Sequence, residues 1–403
     1  MVKAFDMPDL PLVDTYTRAP SGFPRVTASA SPFSCMNCGH LQLLTVIPPE
    51  ILYSEYIYTS ESSPDLFLHF KEYSKKIFRF SERFQLRRRL LDIGSNDGLF
   101  LQFAKSDGFF VRGVDPARIP TLRARGRGID VDLEFFSSSY AEQAAEKYGR
   151  FEFITANNVF SHSDNISDVL AGVNKLLTQD GIFVFEVSYL LDTVNNNVLD
   201  YVYHEHLDFH SIQPLNRFFR ANGFRIFNVE RIATKGGSVR CYVCFEDAPY
   251  PQEIVVDLLM ELESGVNLHS LRLLRAWRTS YFEQVEDQLY PVRRLAEEGR
   301  PVLVYGANAT SVVLVHVANL VDDVNFVVDD NPLRQGLFSP LNDSEVMSAG
   351  VLQTLPDWVC IVGAWRFSEA ILAKRGHLAS DCRKFIVPVF PKFFGREFEV
   401  GAI

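Results

Sequence analysis

Four consecutive side chains, Tyr203, His204, Glu205 and His206, place a phenol, two imidazoles and a carboxylate in one short stretch, residues 201–210. Such a run adds little to an apolar core, because every buried polar group needs a partner. Its chemistry is proton transfer. An imidazole at His206 or His204 can accept a carbon-bound proton near neutral pH. Glu205 can fix its tautomer and charge, while Tyr203 donates to a developing enolate oxygen. Two other roles are open to the same residues. A His-x-His pair on a strand can offer two imidazoles to one metal, but no carboxylate stands at a recognisable metal spacing. An aromatic and polar loop packed at a domain interface needs no chemistry at all.

A second constellation is the acid-flanked turn Asp92-Ile93-Gly94-Ser95-Asn96-Asp97-Gly98. Gly94 and Gly98 let the backbone approach a ligand where a Cβ would clash. The turn is not Gly-x-Gly-x-x-Gly. A dinucleotide fold holds a pyrophosphate at this helix N-terminus, and Asp92 and Asp97 would repel that anion. They suit a ligand with a cationic centre and an amino-acid tail. Asp115 closes the next strand, where a carboxylate can accept hydrogen bonds from ribose hydroxyls. This set favours S-adenosylmethionine over NAD; a ligand-free acidic turn is the plainer alternative. Asn157 and Asn158 follow a further strand at the edge where open α/β sheets bind ligands. His162 lies just beyond them, as a cap, a surface group or a member of the site.

Three further motifs carry weaker signals. In Lys235-Gly236-Gly237-Ser238-Val239-Arg240, the arginine can pair a phosphate bidentately or anchor a carboxylate. Cys241 and Cys244 belong to a β-rich run and read as strand residues. Cys35-Met36-Asn37-Cys38-Gly39 has the form of a zinc knuckle, with His40 as a third ligand or with two free thiols in a turn. Tyr305-Gly306-Ala307-Asn308 opens a helix whose turn can hold the phosphates of a sugar nucleotide, beside the loop Asp329-Asp330-Asn331-Pro332; a purely structural turn is the alternative.

The elements that must position these residues form three segments. Residues 1–70 are irregular, broken by Pro8, Pro11, Pro20, Pro24 and Pro32, with an apolar strand over 41–47. Residues 71–248 alternate strand and helix signals, with strands over 89–94, 111–115, 151–156, 181–186, 224–229 and 236–245. That alternation predicts a doubly wound α/β sheet. Residues 249–403 open with a helical pattern over 254–298. Strands over 302–306, 324–329 and 358–363 and a helix over 309–320 then predict a second Rossmann-like unit.

At 403 residues the chain exceeds the reach of a single core. Its 47% hydrophobic and 22% charged content is that of a soluble globular protein. A net charge of -10 argues against nucleic acid as a partner, while leaving room for one small phosphorylated ligand. The first residues have no apolar signal region. The run 302–321 comes closest to a membrane span and is interrupted by Asn308, His316 and Asn319. Six sparse cysteines suit a reducing compartment, so the expectation is a cytoplasmic protein without membrane partners. A monomer is the working expectation.

Taken in order, these motifs resemble the deoxysugar C-methyltransferase family, which acts on nucleotide-linked keto-sugars. The matching residues are 35–39, Tyr56-Ile57-Tyr58-Thr59-Ser60, Asp92 to Gly98, Asn157-Asn158-Val159 with His162, Glu186-Val187-Ser188-Tyr189, Tyr203 to His206, Gly236 to Arg240, and Asp329 to Pro332. The likeness covers nearly the whole chain. It implies a small zinc-binding domain over 1–70, a methyltransferase core over 71–248, and a Rossmann-like domain over 249–403 that helps to bind the nucleotide sugar. It implies His206 as the base removing the proton at C3, next to a C4 ketone. Tyr203, Glu205, His162 and Tyr58 would surround the sugar, with His204, Arg240, Tyr305 and Asn308 as further substrate contacts. The chain departs from the pattern in two places. The family's first Cys-x-x-Cys should precede residues 10–15, so Cys35 and Cys38 form half a zinc site, and a natural start upstream is expected. Residues 305–311 keep a Gly-Ala start but not the family's small-residue and lysine pattern.

Two rival functions use the same residues. A nicotinamide-dependent oxidoreductase would bind NADH instead of S-adenosylmethionine, which titration separates. A non-catalytic nucleotide-sugar-binding protein would be stabilised by its ligand without forming product.

Overall fold

The computed structural model describes residues 1–21, 25–53, 56, 58–62 and 64–388. Pro24 and Ile57 of the motifs above, and residues 389–403, lie outside the described residues. The chain divides into two compact units that interleave along the sequence. One comprises Ile47–Tyr189 and Asp208–Val266; the other comprises Met1–Val46, Leu190–Leu207 and Asn267–Ile403. This partition differs from three consecutive segments. The N-terminal residues share a unit with the C-terminal sheet, and so do residues 203–206.

The first unit is built on a seven-stranded sheet. Its strands are β1 (Arg89–Ile93), β2 (Phe110–Val114), β3 (Val131–Asp132), β4 (Phe151–Asn157), β5 (Leu177–Ser188), β6 (Phe224–Ile232) and β7 (Ser238–Phe245), in the order β6-β7-β5-β4-β1-β2-β3. Strand β4 is buried almost throughout and β1 over four of its five residues, as expected for parallel strands covered on both faces. All pairs from β5 to β3 are parallel. Strand β7 runs antiparallel to both β5 and β6. The chain passes outward from β1 to β2 and β3, then returns to the other side of β1 as β4. The order therefore reverses between β1 and β4, and the crevice beyond their carboxyl ends is the place for a ligand. Helix α1 (Pro64–Arg83) and helix α2 (Leu99–Ser106) pack on this sheet, with Tyr73 stacked on Phe100 at 4.7 Å.

Strands β5, β6 and β7 share a buried charge network. Glu186 and Arg240 face each other across β5 and β7, and Glu230 faces Arg240 across β6 and β7. Arg240 Nε donates to Glu186 Oε1 at 2.5 Å, Nη1 reaches Glu230 at 3.3 Å, and the guanidinium lies 3.7 Å from the Tyr73 ring centre. His69 of α1 contacts the other Glu186 oxygen at 2.7 Å. Burial opposes ionisation of Glu186, but Arg240 and His69 beside it hold its carboxyl below the usual range. Of the two roles open to Arg240, this is the carboxylate anchor. It corrects the assignment of Arg240 to substrate: the side chain is committed inside the sheet.

The second unit contains short N-terminal strands, Val2–Lys3, Pro32–Ser34 and Leu41–Leu43, and a two-stranded pair, Asp9–Pro11 with Thr27–Ser29. The apolar run over 41–47 yields a strand only at Leu41–Leu43, ahead of Pro48 and Pro49. Five parallel strands follow: β8 (Val302–Tyr305), β9 (Val324–Asp329), β10 (Val346–Ser348), β11 (Trp358–Val362) and β12 (Arg383–Ile386), in the order β10-β9-β8-β11-β12. The expected second Rossmann-like sheet is present. The helical pattern over 254–298 forms two helices, Val255–Gly265, which belongs to the first unit, and Leu271–Glu297, which belongs to the second. Asn267 adopts a left-handed φ of 52° between them, and Ser270 caps the second by accepting from Leu273 N. Among the described residues, no helix is long and apolar enough to cross a membrane.

Because Arg240 neutralises a buried carboxylate, the Arg240→Met protein should lose about 3–5 kcal/mol of unfolding free energy, as expected for a broken buried ion pair. Urea denaturation measures this, and a midpoint equal to that of the parent protein would show the pair to be dispensable.

Candidate active site

The carboxyl ends of β1, β2 and β4 open into a cavity of 410 Å³, lined by Gly94, Asn96, Asp115, Asn157 and Asn158 on the sheet side and by Tyr53, Tyr58, Phe136 and His162 opposite. All of these residues belong to the first unit. Gly94 has a left-handed φ of 65°, and a Cβ there would lie 2.3 Å from Val159 Cγ2. The turn is thus closed by packing as well as by ligand approach.

Asp115 receives two backbone N–H groups, from Asn96 and Ala117, each at 2.8 Å. The strand end is thereby stitched to the glycine turn, and the carboxylate keeps lone pairs for hydroxyl donors. Burial pushes its pKa up to about 6, against those two hydrogen bonds. Asp92 lies deeper. Its Oδ1 accepts from Thr155 Oγ1 at 2.6 Å and from Asn157 Nδ2 at 3.2 Å. Burial pushes Asp92 up to about 8; Thr155 and Asn157 oppose this, while Asp115 and Glu186 add to it. Asn157 Oδ1 is buried without a hydrogen-bond partner among the described residues. An uncompensated carboxyl and an orphaned amide oxygen on one wall fit a cationic amino-acid group. Asp115 fits a ribose, and Phe136 supplies an apolar wall. S-adenosylmethionine matches this donor and acceptor set.

The glycine turn also corrects two assignments. Asp97 is fully buried, accepts from Glu61 N at 3.0 Å and Leu99 N at 3.3 Å, and pairs with Arg127 at 3.6 Å. It holds the start of α2 and does not line the cavity. Gly98 has a φ of 74°, and a Cβ there would sit 3.1 Å from that of Ala124, so its role is helix packing. Asn96 does line the cavity. Its side chain also accepts from Ser60 N at 2.9 Å and donates to the Tyr58 carbonyl at 3.1 Å, tying the 58–60 segment to the turn. Asn158 takes a left-handed φ of 56° and anchors to the Glu186 carbonyl at 2.8 Å.

An aromatic row borders the cavity. Tyr53 OH lies 3.0 Å from His162 Nδ1, and the Tyr53–Tyr56 and Tyr56–Tyr58 ring centres are 5.8 and 6.2 Å apart. The fold therefore brings Tyr58 and His162 together. Tyr53, the immediate partner of His162, was not picked out from the sequence; its signal is the Tyr53, Tyr56, Tyr58 spacing. Phe136 had no comparable signal.

Residues 203–206 belong to the other unit. His206 Nδ1 lies 2.7 Å from the Tyr201 carbonyl. A carbonyl only accepts, so Nδ1 carries the proton and Nε2 presents a lone pair. Tyr203 OH lies 3.3 Å from that Nε2, and the Tyr201 ring stacks on the imidazole at 5.1 Å. Burial raises the Tyr203 phenol well above its ordinary pKa, so it stays a donor. Glu205 is buried in the same turn. His204 is different: it is fully buried, and its Nε2 meets the Ala28 carbonyl at 3.0 Å. It fastens the Thr27–Ser29 strand and is not placed as a substrate contact.

Two more assignments are corrected. Asn308 caps its own helix, Ala309–Val317, by accepting from Ser311 N at 2.9 Å. Tyr305 is buried and donates to Asp330 Oδ2 at 3.0 Å. Tyr16 OH closes on the Ala307 carbonyl at 2.5 Å, and Asp329 accepts from Ala307 N at 2.8 Å. The C-terminal glycine turn is thus satisfied internally. The Cys35 thiol is lowered by the backbone N–H groups of Cys38 and Asn37, the environment of a knuckle turn. A structural zinc takes four ligands, however, and no group of three His, Cys, Asp or Glu side chains able to hold a metal is found among the described residues. The expected zinc is not matched by a complete ligand set.

Comparison with known proteins finds similarity to methyltransferases. Residues 67–229 match the methyltransferase domain model, and residues 233–390 match the model of the C-methyltransferase C-terminal domain. The C-methyltransferase NovU of Streptomyces niveus is 27% identical over 360 residues, 88% of this chain and 84% of that protein. The ubiquinone biosynthesis O-methyltransferase of Burkholderia mallei (strain ATCC 23344) is 24% identical over 160 residues, 36% of this chain and 68% of that protein. The plantazolicin methyltransferase BpumL in complex with SAH aligns with a TM-score of 0.38 at 9% identity, covering 46% of this chain and 88% of that one.

Asp92 makes the cavity testable by pH. A cationic ligand favours its ionised form, so binding releases a proton wherever Asp92 starts protonated. S-adenosylmethionine affinity should therefore rise from about pH 6.5 toward about 8, following the raised pKa of Asp92. Calorimetric titration of Asp92→Asn should show weaker binding, by about tenfold, with this pH dependence gone. A parallel pH profile in the variant would remove Asp92 from the cofactor site.

The chain thus joins a methyltransferase domain to a C-methyltransferase C-terminal domain.

Proposed function

We propose that this enzyme methylates C3 of a nucleotide-linked 4-keto-deoxysugar, with His206 as the general base. The observation that carries the reading is the hydrogen bond between His206 Nδ1 and the Tyr201 carbonyl at 2.7 Å. It sets the proton on Nδ1, so that Nε2 carries the lone pair that accepts a proton, with Tyr203 OH 3.3 Å from it. Methyl transfer to a saturated carbon next to a ketone needs such a base, because the electron pair of the C–H bond must be released before it can form the C–C bond. A neighbouring ketone makes that hydrogen acidic by spreading the charge onto oxygen. NovU, the relative that aligns over most of the chain, is a C-methyltransferase, and the resemblance of the motif set supplies the substrate class.

In this reading Nε2 of His206 accepts the C3 proton, and Tyr203 donates to the enolate oxygen, staying protonated through its burial. Glu205 stabilises the imidazolium that results. Tyr58 and His162 border the sugar from the aromatic row. Bound in the crevice, S-adenosylmethionine supplies an electrophilic methyl group on a sulfonium. Asp115, Asp92 and Asn157 orient that cofactor.

The test follows the proton rather than the product. Incubated in D2O without a methyl donor, the enzyme should wash deuterium into C3 of its keto-sugar substrate, as mass spectrometry reads directly. His206→Asn should lose both exchange and turnover, and Tyr203→Phe should lower kcat by about 10²–10⁴, the range of one acid–base or oxyanion contact. Exchange that persists in His206→Asn would place the base elsewhere.

A further inference from the structure

The second parallel sheet has its own switch point. From β8 the chain runs to β9 and β10 on one side, then crosses to β11 on the other. The crevice at the carboxyl ends of β8 and β11 is where an open α/β sheet takes a ligand. The glycine turn after β8 is closed internally, by Tyr16 on the Ala307 carbonyl and by the Asn308 cap. The loop after β11 is tied to it, by Ala364 N on the Tyr305 carbonyl at 3.0 Å and by Thr310 Oγ1 on the Gly363 carbonyl at 3.2 Å, and then continues beyond these bonds. It forms the short turn Trp365–Phe367, which presents Arg366.

Arg366 is under-used. Its Nε and Nη2 are buried with no hydrogen-bond partner among the described residues. Asp200 forms a loose ion pair with it: Oδ1, also buried without a hydrogen-bond partner among the described residues, stands 3.9 Å from Nη2, beyond hydrogen-bonding distance, and Oδ2 already accepts from Trp365 Nε1 at 2.5 Å. The guanidinium lies over two aromatic rings, 4.4 Å from the centre of Tyr201 and 4.1 Å from that of Trp365. Stacking fixes the plane of the fork and leaves its N–H edge for a partner. Tyr201 is also the ring stacked on His206, and its carbonyl is the one that sets the His206 tautomer. A fixed, permanently charged fork therefore shares a neighbour with the proposed base.

We propose that Arg366 binds the diphosphate of the nucleotide-linked substrate, fixing the sugar so that its reacting carbon meets His206. This deepens the reading above and rests on it for the identity of the substrate. A diphosphate is joined directly to the sugar ring, so a clamp close to the base suits it. Planar, bidentate pairing with phosphate oxygens is the contact that arginine makes best. A role confined to pairing Asp200 would leave the same two N–H groups unsatisfied.

Three proteins test this: the parent, Arg366→Gln and Arg366→Lys. Each is titrated calorimetrically with UDP and with dTDP in phosphate-free buffer, then assayed for KM and kcat with the sugar nucleotide. Titration with S-adenosylmethionine and thermal melting serve as controls. Arg366→Gln should weaken nucleoside diphosphate binding and raise KM by about 10- to 100-fold, the loss of a charge-assisted contact. Arg366→Lys should recover part of that loss, and S-adenosylmethionine binding should stay unchanged. Should Arg366→Gln prove unstable, a raised KM at unchanged kcat in Arg366→Lys carries the same information. Equal diphosphate affinity and KM in the parent and Arg366→Gln overturn the assignment. Loss of deuterium exchange in the parent, with Arg366-dependent diphosphate binding intact, overturns the His206 reading and leaves the clamp standing.

Discussion

The account depends on one backbone carbonyl. Imidazole is a useful base only when the nitrogen facing the substrate is the unprotonated one, and in water neither tautomer is strongly held. The Tyr201 carbonyl at 2.7 Å from His206 Nδ1 removes that ambiguity. It does so from only five residues away, so the geometry is set by a local turn and not by distant packing. The Tyr201 ring then covers the imidazole face. Tyr201 thus orients the His206 imidazole twice, once through its main chain and once through its side chain.

The crevice of the first unit is complementary in kind. Its strand ends concentrate carboxyl groups where burial makes their charge costly, and Asp92 and Asp115 both rise above their ordinary range. Such a site is under-ionised until a cation enters, which gives binding energy a specific target. Deeper in the same sheet the opposite solution operates. Glu186 is equally buried but stays ionised because Arg240 and His69 flank it. Two carboxylates in one sheet are therefore held in different states by their partners: one awaits a ligand, and one is satisfied within the protein.

Much of this was legible in the sequence. The acids at strand ends, Asp92 and Asp115, announce a crevice because a charge at the close of an apolar strand has few structural uses. The alternation of strands and helices predicted an α/β sheet, though not the order of its strands, and the C-terminal strands over 302–306, 324–329 and 358–363 fell where their apolar runs placed them. What was not legible were the partners that residues find over long range. Arg240 reads the same on a strand whether it meets a phosphate or a carboxylate, and only the pairing of β5, β6 and β7 decides it. Asn308 and Tyr305 look available until a cap and Asp330 take them. His204 is indistinguishable in sequence from His206, yet one fastens a strand and the other is held by a turn. The interleaving of the units is a contact property across hundreds of residues, which local periodicity does not encode.

The tautomer of His206 is the most direct test. The chain has nine histidines, so nitrogen-15 labelling of histidine alone, with His206→Asn to assign the signal, resolves its ring nitrogens by proton–nitrogen correlation NMR. The account predicts a protonated Nδ1 and a bare Nε2 at neutral pH. A proton on Nε2, with Nδ1 bare, would contradict it.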